Sequence, residues 1–249
     1  MTLKKTSNFN LIAATACLKR CSVAIAYGGE LFEVNENVDA PKNLVFLTAN
    51  LIKSNGVDLC NIDGVLTVSG PGSFTGIRTA QSMVKGIALS LKIPSASVSY
   101  FDVIQNIYES RGWSAGKRPH LLLIVFQKDD NYLFYSLRKL YCGHCSESFS
   151  ESSTAPCFDD ENYREIKSEA ATVKTVMNLL KSIVDDSEVS TVDVVGDIPS
   201  VMVDQIADLP SSYLRLFHLQ HSDFRWARHL IPLRQAIITA SPMKILYMH

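Results

Sequence analysis

The stretch Ser69-Gly-Pro-Gly-Ser-Phe-Thr-Gly-Ile-Arg78 stands between an apolar run, Gly64 to Ser69, and a segment of helical periodicity, Thr75 to Leu91. A strand that passes through a glycine-rich turn into a helix is a building unit of α/β folds. Such a turn can also bind phosphate, because free backbone N–H groups and the positive end of the helix dipole meet there. The loop Gly70, Pro71, Gly72, Ser73, Phe74, Thr75 and Gly76 has neither standard phosphate spacing. A P-loop needs a Lys and then Ser or Thr directly after its last glycine, whereas Gly76 is followed by Ile77 and Arg78. The dinucleotide pattern needs two residues between its last glycines, and Gly72 and Gly76 enclose three. Pro71 also lacks an N–H. Two readings stay open: a turn lying near a nucleotide, or a tight turn in which Ser73 or Thr75 caps the helix.

Upstream, Phe9 to Thr15 is a short apolar run, and Cys21, Val23, Ile25 and Tyr27 alternate with Ser22, Ala24 and Ala26. Both read as strands, and Gly28-Gly29 turns the chain into a third, Glu30 to Val34, giving an antiparallel meander. Pro41 suits the first turn of a helix that runs to about Asn55, where Gly56 can stop it. Downstream, Pro94 marks the far side of the Thr75 to Leu91 helix. A helix over Ser99 to Ser110 and a linker, Arg111 to Pro119, come next, then strands at His120 to Gln127 and Tyr132 to Leu140. Residues 143–162, rich in Ser and acidic groups, read as an irregular surface excursion. A helix over Lys167 to Ile183, a strand at Val192 to Val195 and a turn at Gly196-Asp197 follow. The alternation argues for an α/β architecture of two similar lobes, although the sequence has no repeat of fixed period.

The chain has 249 residues, 47% hydrophobic and 20% charged, with 24 Lys+Arg against 25 Asp+Glu. That length serves one large domain or two small ones, and the balance excludes both a disordered chain and a strongly basic nucleic-acid binder. The longest dense apolar run, Leu121 to Phe126, is strand-sized, so no membrane span is expected. Lys4, Lys5 and Ala14-Thr15-Ala16-Cys17 imitate a signal peptide or lipoprotein cleavage site, but Asn8 and Asn10 shorten the apolar core and the strand pattern continues beyond Cys17. Six dispersed cysteines fit a reducing, cytoplasmic setting. Cys142-Gly-His-Cys145 has redox spacing but precedes a Ser-rich run unsuited to a helix. Cys142, Cys145 and Cys157 are metal candidates that lack a clear fourth ligand, so no metal site is expected. From residue 211 on, the chain carries Arg215, Arg225, Arg228, Arg234 and Lys244 against Asp223 alone. Within this tail, His221-Ser-Asp-Phe-Arg-Trp-Ala-Arg-His229 interleaves cations with aromatics, a pattern able to touch RNA and equally suited to an amphipathic or partner-binding segment.

Two helices carry more information than their cores require. Along Thr75 to Leu91, Ile77, Ala80, Val84, Ile87, Ala88 and Leu91 fall on one face at 100° per residue. The opposite face holds Thr79, Ser82, Gly86 and Ser90, with Leu89 beside them, and the helix has only Arg78 and Lys85 as charges. A mid-helix glycine costs about 1 kcal/mol relative to Ala, so close approach of another helix is the expected compensation. On Pro41 to Asn55, Leu44, Leu47 and Leu51 form a stripe that Val45, Ala49 and Ile52 widen, with Phe46 beyond it. Such surplus apolar surface suits docking of another protein, or burial by this chain's own second half. The candidate interface residues are Leu44, Val45, Ile52, Arg78, Thr79, Ser82, Gly86 and Ser90.

The whole string Ser69 to Arg78, followed by Lys85-Gly-Ile-Ala88, resembles the signature of the TsaB (YeaZ) family. The resemblance runs from about Phe9 to Leu137, taking in Ala14-Thr15-Ala16, Cys21-Ser-Val-Ala24, Ile93-Pro94 and the strand pair after His120; beyond it only Val195-Gly-Asp197, Pro210 and Tyr213-Leu-Arg215 are similar. It implies an actin-like (ASKHA) two-lobed α/β fold, its mixed sheets opened by an antiparallel meander and flanked by helices. The expected division is an N-terminal lobe over 1–98, a second lobe over 99–215 and a basic tail over 216–249. The resemblance further implies a non-catalytic partner subunit that binds a TsaD-like catalytic subunit, with a TsaE-like ATPase, in making N6-threonylcarbamoyladenosine beside the anticodon of tRNAs that read codons beginning with A. Its docking surface would be the two helices above, with a homodimer when alone, tRNA contacted through the complex, and ATP or ADP bound at the level of the complex rather than by this chain.

The sequence departs from the family where Asp commonly precedes the Thr-Ala pair and Ala14 stands, where His-Ser commonly precedes the first long helix and Ala40-Pro41 stands, and near Phe126, where an Asp-Ala-Arg-type stretch is missing. Each departure removes a polar group able to touch nucleotide or metal. The His-x-x-x-His metal motif of the catalytic relative is also absent, and no nucleophile and base for hydrolysis stand together in sequence. No catalytic residue is therefore expected. The alternative is an independent small-molecule kinase or ATPase of the same fold.

Overall fold

The computed structural model describes residues 9–17, 20–36, 43–112, 121–129, 131–140, 163–185, 191–209, 214–219 and 226–233. The chain divides into two units, Met1–Val103 with Ser222–Tyr247, and Ile104–His221 with Met248–His249.

In the first unit β1 (Leu11–Cys17), β2 (Arg20–Tyr27) and β3 (Glu30–Glu36) form the expected meander, with Ala13 opposite Ala24 and Ala24 opposite Glu33. Gly28 and Gly29, at φ +62° and +88°, make its hairpin turn, a two-residue type that needs positive φ at both positions. β4 (Gly64–Gly70) pairs parallel to β1 and β5 (Ser95–Ser99) parallel to β4, giving the order β3-β2-β1-β4-β5. Parallel neighbours require crossovers, and helices α1 (Leu44–Ser54) and α2 (Phe74–Leu91) supply them. Leu44, Leu47, Ala80, Val84 and Ala88 from these helices join Ile12, Ala14, Val23, Ile25 and Val65 in one apolar core.

The helix α6 (Trp226–Leu230) packs on β1 and β2. Ala227 and Leu230 are fully buried, and the Ala227 N–H donates to Ser22 Oγ at 3.1 Å. Ser22 alternates with Cys21 and Val23, which face the α1/α2 core, so α6 covers the opposite face of the sheet. The segment expected as a separate tail over 216–249 is thus divided: β10 (Leu214–His218) belongs to the second unit and α6 to the first. The boundary between the units falls inside α3 (Tyr100–Ser110), at Val103 and Ile104, rather than at residue 98. Apolar burial on a distant strand pair, invisible in local sequence, brings α6 onto β1 and β2.

The second unit has β6 (Leu121–Gln127), β7 (Tyr132–Leu140), β8 (Tyr163–Thr172), β9 (Val192–Asp197) and β10 in the order β10-β9-β6-β7-β8. Read from β8, this is third, second, first, fourth, fifth, the order of the first unit. An antiparallel meander followed by two parallel strands occurs twice, a two-sheet α/β plan with the mixed sheets expected from the sequence. Helix α4 (Val173–Val184) contributes Val173, Val176, Met177, Leu180 and Ile183 to this unit's core, and α5 (Ser200–Ala207) contributes Met202 and Ile206. Gly196 on β9 has φ +131°, and a Cβ there would lie 1.9 Å from the Val125 carbonyl oxygen, so only glycine fits beside β6.

The helix expected over Lys167 to Ile183 is a strand up to Thr172 and a helix only from Val173. Its first part is rich in helix formers, but β7 offers an unpaired edge, and pairing from Tyr132 opposite Thr172 to Leu140 opposite Tyr163 outweighs that weak propensity. Lys167 and Glu169, 2.7 Å apart, lie on this edge strand, where charge discourages further pairing. Thr172 is the true helix start, its Oγ1 accepting the Thr175 N–H at 3.2 Å. β5, α5 and β10 were not anticipated.

A charged network also lies in the second unit. Asp193, fully buried within the apolar run of β9, accepts two hydrogen bonds from the Arg215 guanidinium, both at 2.7 Å, and a third from the Tyr108 hydroxyl. The Asp193 carboxylate raises the Arg215 pKa further above its ordinary value.

Candidate docking surface

Helix α1 buries Leu44, Leu47 and Thr48 and leaves Val45 and Phe46 58% and 64% exposed on its outer side. Thr48 Oγ1 donates to the Leu44 carbonyl at 2.8 Å and lies 3.6 Å from Met83 Sδ, which ties α1 to α2. Helix α2 buries Gly76, Ile77, Ala80, Gln81, Val84 and Ala88. Its outer side exposes Arg78, Ser82, Lys85, Gly86 and Ser90, with Thr79 half-buried, Phe74 50% exposed and Leu89 79% exposed. Leu44, placed among the interface candidates from sequence, lies instead in the core stripe with Leu47, and Ile52 is half-buried against the same core. The other candidates share the outer surface.

A shallow groove of about 440 Å³ runs between the helices, lined by Val45, Phe74, Thr75, Arg78, Ser82 and Met83 among others. The Arg78 guanidinium sits 3.8 Å from the centre of the Phe74 ring, a cation–π contact that orders the groove's rim. A Cβ on Gly86 would meet nothing within 4 Å among the described residues, so none of the described elements needs the glycine. Among the described residues nothing offsets its cost to the helix, and Val45, Phe46 and Leu89 are exposed. Four large apolar side chains this exposed, beside a stripe of small residues, make a surface onto which another helix can pack closely.

The glycine loop closes one end of this surface. Gly70 and Gly72 take φ +116° and +151°, and the Gly70–Pro71 peptide is cis. Ser73, not Thr75, is the helix cap, its Oγ accepting the Gly76 N–H at 3.4 Å while its carbonyl accepts the Ile77 N–H at 2.9 Å. Sequence reasoning placed the groove's Thr75 in the loop and overlooked Met83.

A family model described as TsaD, tRNA N6-adenosine threonylcarbamoyltransferase, matches residues 41–136, which include both helices and the loop. The chain is 30% identical over 94 residues to the tRNA threonylcarbamoyladenosine biosynthesis protein TsaB of Haemophilus influenzae, a match covering 37% of this chain and 40% of that protein. It is 25% identical over 117 residues to the tRNA N6-adenosine threonylcarbamoyltransferase of Fervidobacterium nodosum, covering 47% of this chain and 34% of that enzyme. A solved Pseudomonas aeruginosa protein with similarity to peptidase YEAZ superposes at a TM-score of 0.64 and 18% identity, over 97% of this chain and all of the other. Over this region the chain is similar to proteins of the TsaB (YeaZ) family. These curated matches span less than half the length of either relative.

The departures of this chain from the TsaB pattern take structural form. Ala14 is fully buried in the core beneath α1 and α2, so β1 presents a methyl group where a carboxylate is common. Thr15 turns to the other face and shares a 2.8 Å hydrogen bond with the Tyr100 hydroxyl. Phe126 is buried in β6. Ala40-Pro41 and the cysteines Cys142, Cys145 and Cys157 lie outside the described residues, as do His221 to Arg225. Of the cation-rich tail, Arg228 is described and reaches Glu33 at 3.4 Å. Among the described residues no group of three His, Cys, Asp or Glu side chains could hold a metal ion, and no helix is long and apolar enough to cross a membrane.

Proposed function

We propose that this chain is a non-catalytic partner subunit in the synthesis of N6-threonylcarbamoyladenosine on tRNA, docking a TsaD-type catalytic subunit on the α1/α2 surface and working with a TsaE-type ATPase. The observation that carries the proposal is the exposure of Val45 and Phe46 on α1, beside a helix whose Gly86 meets nothing within 4 Å among the described residues. Full burial of such side chains contributes roughly 1.5–3 kcal/mol each, which gives a partner reason to cover them. The family match over residues 41–136 contains this surface, and the similarity to a threonylcarbamoyltransferase supports a partner of that kind. The methyl group of Ala14 inside the apolar core supports a role in assembly rather than in chemistry. ATP or ADP belongs to the assembled complex in this reading, and the chain alone can pair with itself.

The test is reconstitution with the TsaD-type and TsaE-type subunits of the same organism, ATP, the threonylcarbamoyl donor and an unmodified tRNA. Modified nucleoside should form only when this chain is present, and the chain alone should turn over neither nucleotide nor tRNA. Nucleotide turnover by the isolated chain would instead support the kinase or ATPase reading.

A further inference from the structure

In the second unit, the tip of the β6–β7 hairpin carries an exposed aromatic ring with a cation beside it. Tyr132 opens β7 and stays 47% exposed, although it pairs with Thr172 of β8. The Lys128 ammonium lies 5.9 Å from the centre of its ring and 5.4 Å from that of Phe134, within cation–π range of both. The tip is tightly held. The Lys128 and Asp129 N–H groups donate to the Tyr132 carbonyl at 2.9 and 3.1 Å. Asp129 Oδ1 in turn accepts the N–H groups of Asn131 and Tyr132 at 3.0 and 2.9 Å, an Asx turn that fixes the loop backbone. At the start of α4, the Val173 N–H donates to the Asn131 carbonyl at 3.1 Å. The ring of Tyr132 is therefore presented from an ordered base.

From this we infer that the hairpin tip is a stacking contact for one unpaired base of RNA, the base lying on Tyr132 and Lys128 meeting its phosphate. The inference rests on the tRNA role proposed above and adds to it a contact made by this chain itself. Stacking needs a flat, exposed π-face and is tolerant of base identity, and a cation close by neutralises the adjoining phosphate. A protein partner fits the tip less well. The exposed neighbours of Tyr132 in the loop, Lys128, Asp129 and Asn131, are polar, and Phe134 is buried, so the ring lacks the surrounding apolar core of a protein interface. Between Lys128 and Tyr132 the sequence also holds two carboxylates, Asp129 and Asp130. They oppose a run of phosphates along the loop and restrict the contact to a single base and a single phosphate. Such a local contact suits a chain with 24 Lys+Arg against 25 Asp+Glu, which has no general excess of cations for nucleic acid.

The experiment measures binding of unmodified tRNA to the reconstituted complex at several salt concentrations, using the wild type, Tyr132→Val, Tyr132→Phe and Lys128→Gln, with assembly and nucleoside formation followed for each. Valine keeps strand propensity at position 132 and removes the ring, so Tyr132→Val should assemble yet bind tRNA about five- to fiftyfold more weakly. Tyr132→Phe retains the π-face and should bind as the wild type does. Lys128→Gln should weaken binding at low salt and reduce the slope of log affinity against log salt by about one. Its side chain is exposed, so it decides the matter alone if Tyr132→Val does not fold. If Tyr132→Val and Lys128→Gln bind tRNA with wild-type affinity and salt slope in a complex that still forms modified nucleoside, the partner role stands and the stacking contact is overturned. If these variants stay folded but no longer join the other subunits, the tip meets protein and the RNA inference is overturned. If the wild-type complex neither binds tRNA nor forms modified nucleoside, the proposed function and this inference fall together.

Discussion

Asp193 lies in the run Val192-Asp-Val-Val195, a charge set among buried apolar neighbours, and sequence alone offers no sign of what neutralises it. Its partners, Arg215 and Tyr108, come from an adjacent strand and a distant helix. Removing the partly exposed Arg215 leaves the fully buried Asp193 carboxylate without its cation, so Arg215→Ala should cost about 3–5 kcal/mol, read as a lowered denaturant midpoint with an unchanged slope. Cys21 makes a second prediction at this scale. Burial first, and then the neighbouring Glu36 carboxylate, push its thiol pKa up. A group with a raised folded pKa contributes stability that is fully present below the unfolded thiol value and is lost as pH rises through the folded one. Stability should therefore fall above the ordinary thiol range, and Cys21→Ala should flatten that alkaline slope in denaturant titrations at several pH values.

Elements differed in how much of them the sequence disclosed. Cys21 to Tyr27 and Thr75 to Leu91 were legible because each buries one face, and a single buried face imposes a clean period of two or of 3.6. β8 was not, because its Lys, Glu and Ala residues favour helix locally and only pairing with β7 makes them a strand. β10 was hidden similarly, its residues only partly buried and its one neighbour β9. In the candidate surface, the outer faces of α1 and α2 were readable as surplus, whereas the placement of Leu44 in the core required knowing which part of a wide apolar arc the sheet covers. Gly86 carries this scale's prediction. With open space around it, Gly86→Ala should stabilise the chain alone by about 0.5–1 kcal/mol in thermal unfolding, since alanine restores helix propensity at no steric cost. A requirement for glycine within the monomer would appear as destabilisation instead.

At the scale of the whole molecule, the strand order of the first unit recurs in the second without a matching repeat in sequence, because the order depends on burial pattern and connection rather than on residue identity. The return of α6 to the first unit is likewise a long-range choice, sealed by Ala227 and Leu230. Leu230→Ala should cost about 2–5 kcal/mol, and hydrogen exchange should show protection falling in β1 and β2 while β6 and β9 keep theirs. The central claim is that α1 and α2 are where the catalytic partner docks. Multi-angle light scattering of the chain mixed with its TsaD-type partner, with and without Gly86→Arg, tests it most directly. The account predicts a one-to-one complex with the wild type and two separate species with a folded Gly86→Arg variant; an intact complex with that variant would place the partner elsewhere and contradict it.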